Sequence, residues 1–124
     1  MILLDTNIFV DYLRDFKLAS VFFESLQERE DVFFSAITEA ELIAGSENNN
    51  PEKKEVLLRF LSRWSKIEVT NPIAVLAGDL KRKYYLLLPD AIIAATALHN
   101  NMEILTRNIK DFKKIQGLIV KTPY

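Results

Sequence analysis

At 124 residues, 49% hydrophobic and 27% charged, the chain is sized for one domain, 1–124, whose core needs no cross-links. The absence of cysteine argues against a disulfide-framed secreted protein and against thiolate metal sites. A net charge of −1 does not advertise a general nucleic-acid binder, although clustered acids would hide a basic rim in the sum.

The first residues, Met1 to Asp5, carry no basic lead, and the apolar stretch Ala91 to Leu98 is too short to span a bilayer. A cytoplasmic protein without a membrane role is therefore expected. Ile2 to Leu4 reads as a buried parallel strand, apolar throughout. Phe9, Val10 and Leu13 mark one face of a following helix, and Leu18, Val21, Phe22 and Leu26 mark a second. Val32 to Phe34 is the next strand. Thr38 to Ala44 reads as a helix stopped by Gly45 in a left-handed cap, with a surface loop from Gly45 to Pro51. Val56, Leu57, Phe60, Leu61 and Trp64 form an amphipathic helix, and Ile67 to Val69 a third strand. Asn71 is placed to cap a helix with Pro72 in its first turn; Ile73, Leu76, Ala77, Leu80 and Tyr84 share a face. Pro89 and Asp90 open a helix that is apolar nearly all round, hence central. Glu103 to Leu105 and Leu118 to Val120 complete five strands. Strands alternating with helices imply a doubly wound parallel sheet.

Four acids fall where an apolar run gives way to a helix: Asp5, Glu41, Asp90 and Asp111. Each has an ordinary structural explanation. Asp5 and Asp90 suit helix caps, Thr38 and Glu41 fit a capping box, and Asp111 suits a solvated loop. In an open parallel sheet, however, ligands bind beyond the carboxyl ends of the strands, and Asp5, Asp111 and the helix bearing Glu41 belong to that edge. Carboxylates gathered there repel one another and call for a hard divalent cation with oxygen ligands. Asn7 and Asn108 add neutral oxygens and amides near the same strand ends.

Other chemistries are poorly represented. His99 is the only histidine and sits at a helix end, where it suits the negative pole of the helix. Zinc sites and Cys/His nucleophiles are therefore not expected. The glycines are isolated, so there is no phosphate-binding loop. Lys81 to Lys83 read as a solvated face, whereas Arg107, Lys110 and Lys113 flank Asp111 and are candidates for holding a phosphate backbone.

Four segments together resemble the PIN domain, especially the toxin subunit of VapBC-type toxin–antitoxin pairs. They are Leu4-Asp5-Thr6-Asn7, Thr38-Glu39-Ala40-Glu41-Leu42, Pro89-Asp90-Ala91-Ile92-Ile93-Ala94-Ala95-Thr96-Ala97, and Thr106-Arg107-Asn108 with Asp111-Phe112. The likeness runs over essentially the whole chain. It implies a three-layer α/β/α sandwich with a five-stranded parallel sheet, and a Mg²⁺- or Mn²⁺-dependent endoribonuclease. Its metal would be held by Asp5, Glu41 and Asp90, with Asn108 standing where many relatives have an acid and Asp111 supplying the charge. It also implies a homodimer and an antitoxin whose C-terminal segment covers the site.

On that basis one or two Mg²⁺ ions sit among the four acids and activate a water against an RNA phosphodiester. Thr6 and Thr106 either orient that water or a phosphate oxygen, or cap the helices that follow. Asn7 orients Asp5 or a metal water. An arginine or lysine from the antitoxin would offset the carboxylates, and Phe9, Val10, Leu13, Val21 and Phe22 are candidates for its docking groove, about half of them facing the core instead. Two other classes stay open. A haloacid-dehalogenase-like phosphatase would use Asp5 as nucleophile, but it wants a second Asp where Asn7 stands. A non-catalytic binding module would keep the fold without the chemistry.

Overall fold

Apolar triplets set the middle of the molecule. In the computed structural model, which describes residues 1–124, five short strands form one all-parallel sheet. They are β1 (Ile2–Leu4), β2 (Val32–Ser35), β3 (Ser65–Ile67), β4 (Glu103–Leu105) and β5 (Val120–Lys121). The spatial order is β3-β2-β1-β4-β5. β1 is central: Leu4 lies opposite Phe34 on one side and Leu105 on the other. The chain runs outward from β1 in both directions, so the sheet reverses its winding between β1 and β4, where a crevice opens at the carboxyl ends.

Seven helices cover the sheet: α1 (Thr6–Leu13), α2 (Lys17–Ser25), α3 (Ala36–Ile43), α4 (Pro51–Leu61), α5 (Asn71–Tyr84), α6 (Leu88–His99) and α7 (Ile109–Phe112). The two-residue period of a strand sends neighbours to opposite faces. Ile2 and Leu4 therefore join Phe9, Phe23, Leu57 and Leu61 from α1, α2 and α4. Leu3 joins Ile73, Ala77, Ile93 and Ala94 from α5 and α6. Helices on both faces give the three-layer α/β/α sandwich. α6 is buried along most of its length, from Ala91 to Ala97, as its all-round apolar sequence requires.

Several local expectations are corrected. β3 begins at Ser65, two residues before the expected Ile67–Val69, because register with β2 pairs Phe33 with Ser65. It is an edge strand, exposed along most of its length, so pairing and not an apolar run defines it. β5 likewise lies at Val120–Lys121 instead of Leu118–Val120, since Gly117 at φ +85° and a Leu118 N–H bond to Ile115 hold the preceding residues in a turn. Gly45 is not a left-handed cap: its φ is −62° and it precedes a 3-10 turn over Ser46–Asn49, within the expected loop. Thr70, not Asn71, precedes α5. α4 ends at Leu61, before Trp64.

Of the five early-helix residues considered for partner docking, Phe9 is fully buried. Its ring centre lies 5.5 Å from that of Phe23, 5.7 Å from Phe34 and 6.2 Å from Phe60. Val10 and Phe22 are half-buried against the same core, while Leu13 and Val21 are exposed. Truncating Phe9 leaves a cavity under α1 that rigid neighbours cannot fill. Phe9→Ala should cost about 3–5 kcal/mol in a urea melt with chelator present, with the slope unchanged. A loss below about 1 kcal/mol would contradict this account of the core.

Candidate active site

The site is built outward from Asp5. Its main-chain N–H continues the sheet by donating to the Leu105 carbonyl at 3.0 Å, and the chain then turns into α1. Asp5 is the cap of α1, as one of its structural explanations held. Its side chain is only 4% exposed, and both oxygens are engaged. Oδ1 accepts from the Thr6 N–H at 2.8 Å, and Oδ2 accepts from the Thr106 hydroxyl at 2.7 Å. Thr106, buried just past β4, also accepts from the Asn108 N–H at 2.9 Å and from Asn7 Nδ2 at 3.4 Å. One hydroxyl thus ties the ends of β1 and β4 across the crevice. Asn7 acts on Asp5 through Thr106 and not directly. Its own Oδ1 is buried without a donor.

The β2 edge contributes Glu41. Ser35 caps α3 by accepting from the Ile37 N–H at 3.1 Å, so the expected Thr38–Glu41 capping box does not form. Thr38 lies inside the helix, fully buried, and Glu41 is released towards the crevice. There Glu41 Oε1 accepts from the Thr6 hydroxyl at 2.7 Å. Since Thr6 has one hydroxyl proton, the 2.9 Å contact between Thr6 and Thr38 is donated by Thr38. Thr38 is a site residue that the sequence disguised as a cap; a buried threonine amid an apolar run was the only signal.

Asp90 enters from the opposite face. The residue preceding α6 is Leu87, so Asp90 is not the cap; it lies in the first turn, half-buried. Asp111 is not a loop residue either. It lies in α7, and its Oδ2 accepts from Asn108 Nδ2 at 3.0 Å. Asn108 and Asp111 therefore occupy the fourth corner as a bonded pair.

Crowding is legible in the acidities. Burial pushes the Asp5 carboxyl up from 3.8 to about 6, and the Asp90 and Glu41 charges push the same way. The bonds from Thr106 and Thr6 oppose this shift. Asp90 is raised chiefly by burial, then by Glu41 and Asp111. None of the chain's salt bridges involves these four carboxylates. They converge electrostatically, yet no three close to the spacing of one ion's ligand shell. A magnesium ion keeps several waters and takes one or two carboxylates directly, so it does not need three at once. The donors are all oxygen, and the orphaned Asn7 Oδ1 is a further neutral oxygen beside them, so the residues fit a hard cation.

Of the basic candidates, Lys110 and Lys113 are exposed beside Asp111. Arg107 is engaged: its Nη1 donates to Asp11 Oδ2 at 3.1 Å.

Parallel topology, the crevice at β1 and β4, and an acid from each surrounding element define a nuclease-like α/β fold. The PIN domain family model matches residues 2–118, and the chain belongs to that family. It is 34% identical to Ribonuclease VapC1 of Rickettsia felis, covering 73% of this chain and 75% of that protein. It is 31% identical to Ribonuclease VapC10 of Mycobacterium tuberculosis, over 100% and 93% of the two chains. Among solved structures, a toxin–antitoxin complex from Klebsiella pneumoniae superposes with a TM-score of 0.83 at 35% identity, over 100% of this chain and 98% of that one. VapBC2 from Rickettsia felis, bound to a DNA fragment from their promoter, gives 0.82 at 30% identity over 98% of each chain.

The raised pKa of Asp5 has a definite sign in stability. Unfolded, the group ionises near 3.8; folded, near 6. Its favourable contribution is complete below 3.8 and is lost as pH rises through 6, a difference of about 3 kcal/mol. Asp5→Asn carries no charge at any pH. In chelator, its stability relative to the parent should therefore improve between pH 4 and pH 7.5. Paired thermal melts at the two pH values check this; a relative stability that falls with rising pH would overturn it.

Proposed function

We propose that the chain is a metal-dependent endoribonuclease acting as the toxin of a toxin–antitoxin pair, with Asp5, Glu41, Asp90 and Asp111 holding Mg²⁺, or Mn²⁺ in its place. The observation that carries this reading is the buried Asp5 carboxylate, pinned by Thr106 and crowded by Asp90 and Glu41 at the sheet's reversal point. Family membership and relatives named as ribonucleases support the reaction class. When bound, such a cation would lower the pKa of a water and offset charge on a phosphodiester.

The chain's own residues make that chemistry possible by orientation. Thr106 holds Asp5 in one rotamer, and Thr38 through Thr6 holds Glu41. Asn108 holds Asp111. Fixed carboxylates lose little entropy when they take up a cation, which is what a supporting shell contributes. Lys110 and Lys113 offer exposed charges to the RNA backbone. The phosphatase alternative is disfavoured: it wants a second aspartate where Asn7 stands, and the family match and the relatives named as ribonucleases favour the nuclease class.

For the partner, we place an antitoxin segment in the hollow between α1, α2 and α4. It is lined by Tyr12, Leu13, Phe23, Phe60, Arg63 and Trp64. Solved relatives described as toxin–antitoxin complexes support a partner of this kind. A homodimer fits the exposed run of Tyr85, Leu87 and Leu88, which are 90%, 72% and 50% exposed. No helix is long and apolar enough to cross a membrane.

Cleavage of RNA should require Mg²⁺ or Mn²⁺ and stop in excess EDTA; undiminished activity in chelator would end the metal reading. Asp90→Asn and Glu41→Gln should each lower cleavage by about a hundredfold or more. Thr106→Val, which frees Asp5 without removing a charge, should lower it roughly 10- to 100-fold. Equal activity in all three variants would leave the acids as mere structure.

Co-expression with a neighbouring short reading frame should yield an inactive complex that regains activity when the partner is digested. Leu13→Asp should prevent co-purification while the chain stays folded by circular dichroism. A chain that purifies alone and is harmless to growth would remove the toxin assignment and leave the nuclease.

A further inference from the structure

Beside the carboxylates lies a second construction, made from parts far apart in sequence. Arg107 directly follows Thr106, the residue that pins Asp5. Its guanidinium is held edgewise by Asp11, whose Oδ2 also accepts from the Tyr124 hydroxyl at 2.8 Å. The guanidinium carbon lies 5.1 Å from the ring centre of Phe16 and 5.5 Å from that of Tyr124. The two rings are 5.7 Å apart and tilted by 54°. A plane stacked between two rings needs about 7 Å, at roughly 3.5 Å per layer. The rings are too close for that, so the guanidinium is not sandwiched and both ring centres lie towards one side of it. The Arg107 side chain is nonetheless 47% exposed.

A purely structural clasp would bury this group or leave it mobile. Here a planar cation is fixed by a carboxylate, backed by two aromatic rings, and presented to solvent. Pairing with Asp11 offsets part of its charge, so it is less suited to steer a phosphate than the exposed Lys110 and Lys113. A flat, polarisable surface suits the face of a base. Unpaired RNA bases are commonly held by stacking on aromatic rings and on arginine planes. Position agrees. Asp11 lies six residues along α1 from Asp5, roughly 9 Å at 1.5 Å per residue, within reach of a nucleotide next to the one being cut.

We propose that Arg107, backed by Phe16 and Tyr124 and oriented by Asp11, is a base-stacking subsite for an unpaired nucleotide flanking the scissile phosphate. The proposal rests on the ribonuclease reading and assigns these residues to substrate selection. Arg107 would contact the base, whereas Asp11 is a positioning residue.

The test begins with a hairpin RNA library randomised in its loop, cleaved by the intact chain with Mn²⁺. The loop sequence cut best is then remade with each loop nucleotide replaced in turn by an abasic one. In the parent, one position beside the cut should lose on the order of tenfold in kcat/KM, carried by KM. In Arg107→Lys, which keeps the charge beside Asp11 but lacks the plane, that position's penalty should vanish while penalties elsewhere persist. Phe16→Leu should reduce it in the same place. A merely structural role would slow every substrate alike and leave the penalty pattern unchanged; that result overturns the subsite and leaves the nuclease reading standing. If the parent cleaves nothing in the library and shows no binding to it by fluorescence anisotropy, both readings fall.

Discussion

A single hydroxyl governs the site: Thr106 donates to Asp5 across the point where the sheet reverses. That bond holds an ionisable group in a place that burial makes hostile to its charge. Without Thr106 and the Thr6 N–H, nothing close by would favour the carboxylate form against burial and the repulsion of Asp90 and Glu41. The rest of the molecule can be understood as the apparatus that makes this placement unavoidable. Leu3 and Leu4 are fully buried and paired on both sides, so the residue that follows them has little freedom of position.

The same economy recurs around the crevice. Three of the four acids are braced by a short polar side chain: Asp5 by Thr106, Glu41 by Thr6, and Asp111 by Asn108. Threonine and asparagine are compact and lose little entropy on ordering, compared with lysine or arginine. They also leave the negative charge uncancelled, as a cation site requires. The chain thereby accepts local instability at its centre, offset by a core of aromatic and aliphatic packing on both faces. Asp90 stands on the most buried helix, so its position depends on packing that is mostly alanine and isoleucine.

The hydrophobic pattern disclosed much of this. Central strands β1, β2 and β4 are apolar runs, and α6 is apolar all round, so burial can be read directly from them. The edge strands β3 and β5 could not be located as well. Their residues are exposed, and only register with a neighbour defines where pairing begins. Local capping misled for a related reason. Thr38 and Glu41 have capping-box spacing, but Ser35 was equally eligible, and the end of β2 decided between them. Gly45 has the residue type of a left-handed stop, whereas the positive-φ positions are Asp15, Tyr85, Asn101 and Gly117. A backbone angle depends on what the following residues do, and composition alone does not reveal that.

The sequence by itself determined the class of the fold and singled out four acids, with Asp5, Asp111 and the helix bearing Glu41 at one edge, because period and strand-to-helix transitions are local properties. Tertiary structure alone decided which oxygen each hydroxyl serves. Asp5 and Thr106 are 101 residues apart, and Thr6 and Glu41 are 35 apart. It alone also joined Asp11, Phe16, Arg107 and Tyr124 beside the site. Hydrogen bonds and stacking act over a few ångströms and are indifferent to distance along the chain. Partners drawn from different strands and helices become known only once the sheet has brought those elements together.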